Sequence, residues 1–107
     1  MTAFSPGGIG QQSVTAGLKT NPTIYNLEMD LANTEYSQAL PSDTKSFMVK
    51  FREPTKALLR YQSGSSEYLT IPTGTIYKEE RISGSTAVTI YLETTKPSMV
   101  AEIVVWT

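Results

Sequence analysis

The chain has 107 residues, 39% of them hydrophobic and 18% charged, with a net charge of −1 and neither cysteine nor histidine. That length supports one core, because single domains span roughly 100–150 residues and two cores would each bury too little surface. Near-zero charge excludes a general attraction to nucleic acid or an anionic membrane, and the missing residue types exclude disulfides, thiolate metal sites, a histidine base and a cysteine nucleophile.

Residues 1–22 differ in kind from the rest of the chain. They hold four of the seven glycines and a single charged residue, Lys19. Phe4, Ile9, Val14 and Leu18 are spaced without helical or strand period, so the segment cannot bury itself and is expected to be an extended N-terminal arm. Two readings compete: a frayed terminus, or an arm that orders against a partner with those four residues as anchors. The low charge favours the second, since solvated tails usually carry more. The start of the chain lacks the basic region and apolar segment of a secretory signal. No apolar run approaches the ~20 residues that span a bilayer, and the expectation is a protein neither exported nor inserted.

Residues 23–107 are expected to form one β-sandwich domain. From Thr23, Tyr25, Leu27, Met29 and Leu31 alternate with Asn26, Glu28 and Asp30, the period of a strand with one wet face. Over Asn33–Arg52 the spacing predicts a central hairpin. Tyr36 to Leu40 lead into a turn at Pro41-Ser42-Asp43, and Phe47, Val49 and Phe51 alternate with Lys50 and Arg52 in the returning strand. Glu53-Pro54-Thr55 breaks the chain before Ala57, Leu59 and Tyr61 resume the alternation. Gln62 to Ser66 form a turn, Tyr68 to Ile71 a short strand stopped by Pro72-Thr73-Gly74, and Ile76 to Glu80 another strand. A turn at Ser83-Gly84-Ser85 leads to Val88, Ile90 and Leu92, alternating with Thr89 and Tyr91. After Lys96-Pro97-Ser98 comes Met99 to Trp106, long, apolar apart from Glu102, and expected to be central. About eight short strands with Gly or Pro between them, and no helical period, predict an all-β fold: an antiparallel, jelly-roll-like sandwich of two sheets.

Reactive sets are scarce, and the expectation is a protein that is not an enzyme and holds neither metal nor cofactor. Glu28 and Asp30 share a strand face, as a glycosidase pair or a cation site would, but a solvated face has the same pattern. Glu79 and Glu80 point to opposite faces and cannot converge without a bulge. Lys45, Lys50, Arg52, Lys56 and Arg60 fall in one region, and Lys50, Arg52 and Arg60 could share an outer face as a polyanion footprint. Asp43, Glu53 and Glu67 interrupt it and no aromatic residue is interleaved to stack bases, so a mixed-charge surface or subunit contact is expected. Trp106, the one tryptophan, is expected in the core near an edge; facing solvent, it would instead serve as a sugar platform or an interface anchor.

Four segments, N-T-E-Y-S-Q-A-L-P at Asn33–Pro41, F-M-V-K-F-R at Phe47–Arg52, Y-L-T-I-P-T-G at Tyr68–Gly74 and V-A-E-I-V-V-W at Val100–Trp106, resemble in order and spacing small structural proteins of tailed-bacteriophage virions. The resemblance covers Thr23 to Trp106 and leaves out the arm. It implies a capsid decoration (cement) protein that binds the outer surface of the major capsid protein lattice, often as an all-β homotrimer, and stabilises the head. A tail, fibre or adaptor component is the alternative within that class, and a carbohydrate-binding module using Trp106 or exposed tyrosines the alternative outside it. The implied partners are the major capsid protein or other virion proteins, with no nucleic acid and no membrane. The implied location is the virion, after assembly in the host cytoplasm.

Overall fold

The computed structural model describes residues 22–80 and 87–107. The arm, with Phe4, Ile9, Val14 and Leu18, and the turn expected at Ser83-Gly84-Ser85 lie outside the described residues. Among the described residues there are eight strands: β1 (Thr23–Met29), β2 (Tyr36–Ala39), β3 (Ser46–Phe51), β4 (Ala57–Arg60), β5 (Leu69–Ile71), β6 (Tyr77–Glu79), β7 (Thr89–Thr94) and β8 (Met99–Trp106). They form two four-stranded sheets, β1-β8-β3-β6 and β2-β7-β4-β5, in which every neighbouring pair is antiparallel.

The topology is that of one long hairpin rolled into a sandwich. β1 pairs with β8, β2 with β7, β3 with β6 and β4 with β5, so the pairs nest about the β4–β5 turn. Gly64 lies at the midpoint: Thr23 and Val105, Tyr36 and Leu92, and Ala57 and Ile71 are partners equally far from it along the chain. The β3–β6 ladder, with Phe47 opposite Glu79, is displaced by two residues. A two-residue shift preserves which face each side chain takes, whereas a shift of one would exchange core and surface. Gly64 has φ +70°, where a side chain would be strained, and the Ser65 amide donates to the Gln62 carbonyl at 3.2 Å to close the tip.

Alternation fills the space between the sheets. Met99, Ala101, Ile103 and Val105 of β8 face inward with Phe47 and Val49 of β3, against Ala57 and Leu59 of β4 and Ile90 and Leu92 of β7. Each large side chain fully buried there contributes about 1.5–3 kcal/mol relative to exposure. Buried polar groups are satisfied locally: the Thr44 hydroxyl donates to the Pro41 carbonyl at 2.7 Å, and the Thr94 hydroxyl to the Lys96 carbonyl at 2.8 Å. Asn33 and Ser98 have positive φ in the connections that cross between sheets. The Asn33 amide donates to the Thr94 carbonyl at 2.7 Å and the Ser98 amide to the Asp30 carbonyl at 3.1 Å, lacing these connections together.

Three expectations are corrected. The chain does turn at Pro41, where the Thr44 amide donates back to the Pro41 carbonyl, but β2 and β3 are not a hairpin: they lie in different sheets, β2 on β7 and β3 between β8 and β6. Leu31 falls outside β1 and is 61% exposed. Trp106 is half-buried and stands apart from the core, because β8 turns Met99, Ala101, Ile103 and Val105 inward and Val100, Glu102, Val104 and Trp106 outward.

Candidate functional site

The outer face of the first sheet has two zones. Register sets Ile24 of β1 and Met48 of β3 on either side of Val104 of β8, and Trp106 lies two residues further along β8 on the same face. These four form an apolar row at one end of the sheet, with Ile24 62% exposed. Pro22, which precedes β1 at that end, is exposed. The next row is polar: Asn26, Glu102 and Lys50 lie side by side. Arg52 Nε donates to Glu102 Oε2 at 2.9 Å, and Lys50 Nζ stands 3.6 Å from Oε1. The hydrogen bond from Arg52, aided by the two positive charges, holds the Glu102 carboxyl below its ordinary range.

The second sheet carries a separate ionic cluster. Arg60 Nη1 lies 3.1 Å from Glu93 and 3.8 Å from Glu35, and its Nε donates to the Ser65 carbonyl at 2.7 Å. Glu35 reaches the β4–β5 tip, accepting from the Ser63 hydroxyl at 2.6 Å and the Gly64 amide at 3.0 Å. Those two hydrogen bonds, the Ser63 one foremost, lower its pKa, and the charge of Arg60 adds to the effect. Lys50 and Arg52 therefore share a face, but Arg60 belongs to the opposite sheet, and all three are matched by carboxylates. The continuous basic footprint considered from sequence is not formed.

Glu28 is exposed opposite Val100, and Asp30 is exposed beyond the end of β1. Among the described residues no three or more acidic side chains gather in a way that could hold a metal ion. A recess of about 260 Å³ between the β3–β4 and β5–β6 connections is lined by Lys50, Arg52 and Ile76 among others.

A larger cleft, about 350 Å³, opens where β5 and β6 are edge strands of the two sheets among the described residues. Tyr61, Tyr68, Leu69, Tyr77 and Glu79 line it. The Tyr77 hydroxyl donates to Glu79 Oε1 at 2.5 Å and lies 3.4 Å from the Tyr61 hydroxyl, while its ring packs on Phe47 at 6.1 Å between centroids. Burial, reinforced by the bond to Glu79, pushes the Tyr77 phenol far above its ordinary 10; burial raises Tyr61 as well. Sequence reasoning did not assemble this cleft, because its walls come from segments paired only through the rolled topology.

No protein-family model and no curated protein matches the chain. Among solved structures, a de novo designed double-stranded β-helix determined by solution NMR is similar over 82% of this chain and 100% of that one, with a TM-score of 0.51 and 17% identity. The likeness concerns the fold. The fold is an all-β antiparallel sandwich with jelly-roll connectivity, built among the described residues from eight strands.

Proposed function

We propose that the protein is a structural subunit of a tailed-phage virion: a decoration protein that binds the outer surface of the major capsid lattice and stabilises the head. The observation that carries this reading is the outer face of the first sheet, where Ile24, Met48, Val104 and Trp106 present an apolar row bordered by the Lys50–Glu102–Arg52 cluster. An apolar centre with an aromatic anchor and a polar, hydrogen-bonded border is the anatomy of a protein–protein contact. The likeness of the four segments between Asn33 and Trp106 to virion proteins supports the choice of a virion as the setting. Decoration requires no bond-making chemistry; its mechanism is attachment repeated over a lattice, where many modest contacts are multiplied by avidity. Neighbouring copies, as a homotrimer, would each place this face against capsid or against one another. A tail or fibre position uses the same surface with a different neighbour.

Co-sedimentation with phage heads lacking the protein, run beside isolated tails, tests the reading. Saturable binding to heads that weakens at least tenfold in Val104→Asp, about 1.4 kcal/mol, is the expected result. Binding to tails alone, or to heads with undiminished affinity in Val104→Asp, overturns it.

A further inference from the structure

The cleft at the β5–β6 edge is a second surface with its own chemistry. Tyr61 and Leu69 occupy positions of the same inward parity as Leu59 and Ile71. Leu59 and Ile71 are 1% exposed, whereas Tyr61 is 44% and Leu69 43% exposed. The sheets therefore part at this end, and residues patterned for a core line an opening instead. Its volume, about 350 Å³, lies near the lower end of the ~300–1,000 Å³ usual for small-molecule sites.

Charge and hydrogen bonding narrow what fits. The nearest cation, Arg60, is matched by Glu93 and Glu35 and lies over the Tyr68 ring at 5.3 Å, where it fixes that ring in place. Glu67 and Glu79 add negative charge to the lining, so a phosphate or carboxylate ligand would meet repulsion without a free partner. A purely apolar ligand would desolvate the Glu79 carboxylate and the Tyr61 hydroxyl and return no hydrogen bond to them. A neutral ring bearing hydroxyls on its rim and C–H groups on its faces meets both demands: the tyrosine rings take its faces, and the carboxylate accepts charge-assisted bonds from its hydroxyls. We propose that this cleft binds a neutral pyranose unit of a polysaccharide. It is distinct from the apolar row on the first sheet, so a virion subunit attached through that row would present a saccharide site elsewhere on its surface.

The test is an amide NMR titration of the full chain with maltotetraose, cellotetraose, N-acetylchitotetraose and D-glucose, each taken to about 10 mM, well above the ~1 mM dissociation constant that corresponds to −4.1 kcal/mol. The expected result is a saturable shift of the Tyr61, Tyr68, Leu69 and Tyr77 amides with at least one of the oligosaccharides and a weaker one with D-glucose. Tyr68→Ala should weaken that binding at least tenfold, Tyr61→Phe severalfold, and Trp106→Ala not at all. The conservative Tyr61→Phe decides the matter if Tyr68→Ala fails to fold. Absence of saturable shifts in the cleft with all three oligosaccharides, or shifts centred on Val104 and Trp106, would overturn the proposal.

Discussion

Single residues decide which face of each strand is wet, and Trp106 illustrates how. Its parity within β8 is that of Glu102, the only charge on the strand, so a reading anchored on that glutamate places the indole outward; its size and apolarity alone argued for the core. Phe47 is the opposite case, fully buried and packed on Tyr77. Phe47→Ala should cost about 3–5 kcal/mol, a lost aromatic plus the cavity left behind, read as a lower urea midpoint at unchanged slope; a loss under about 1 kcal/mol would mean that the site collapses around the gap. Glu35 gives a pH-dependent test. Its carboxyl is lowered from the ordinary 4.5 in the folded protein, so the stability it adds is complete above 4.5 and is lost as pH falls through the lowered value. Glu35→Gln should lower the urea midpoint near neutral pH, and its gap to the parent should close as pH is taken below 4.5 through the lowered value. A gap of constant size across that range would contradict the assigned role of the charge.

At the scale of elements, strand positions were legible in the sequence and strand partners were not. Alternation through Met99–Trp106 and Ala57–Arg60 marks strands wherever they pair, because the period is local. The turn at Pro41 was equally local, but a turn does not name the next strand as the partner. In a rolled hairpin β2 pairs with the distant β7, and among the described strands only the β4–β5 connection joins ladder neighbours that are consecutive in sequence. The cleft was hidden for the same reason: Tyr61 and Tyr77 meet only once β5 and β6 end up as facing edges. Gly64, at the midpoint of the nested ladders and at φ +70°, is the hinge of this arrangement. No atom lies within 4 Å of where a Cβ would stand, so Gly64→Ala should cost about 1 kcal/mol through backbone strain alone. Thermal unfolding checks this; an unchanged or higher midpoint would show that the tip tolerates another conformation.

For the whole molecule the question is what the two surfaces, and the arm expected from sequence over residues 1–22, would attach to. With no cysteine there is no disulfide to stabilise the domain, and any partner that bound the folded state would stabilise it by mass action. By composition, residues 1–22 carry too little apolar surface to fold alone and too little charge for a solvated tail, so the proposal is that a partner orders them and offsets a cost of roughly 1–2 kcal/mol per residue. Removing residues 1–20 should leave the thermal midpoint of the isolated domain nearly unchanged while head binding falls at least tenfold, about 1.4 kcal/mol. Undiminished decoration by the truncated chain would make the arm a frayed terminus. The proposed homotrimer is checked separately by light scattering at tens of micromolar, where a trimer mass is expected and a strictly monomeric one would count against preassembly.

Immunogold labelling of intact virions from the phage that the proposed function requires, viewed in negative stain with antibody against residues 23–107, tests the proposed virion assignment directly. Gold distributed over the head surface is expected for a decoration protein. Label confined to the tail, or purified virions that carry none of the protein, would contradict it.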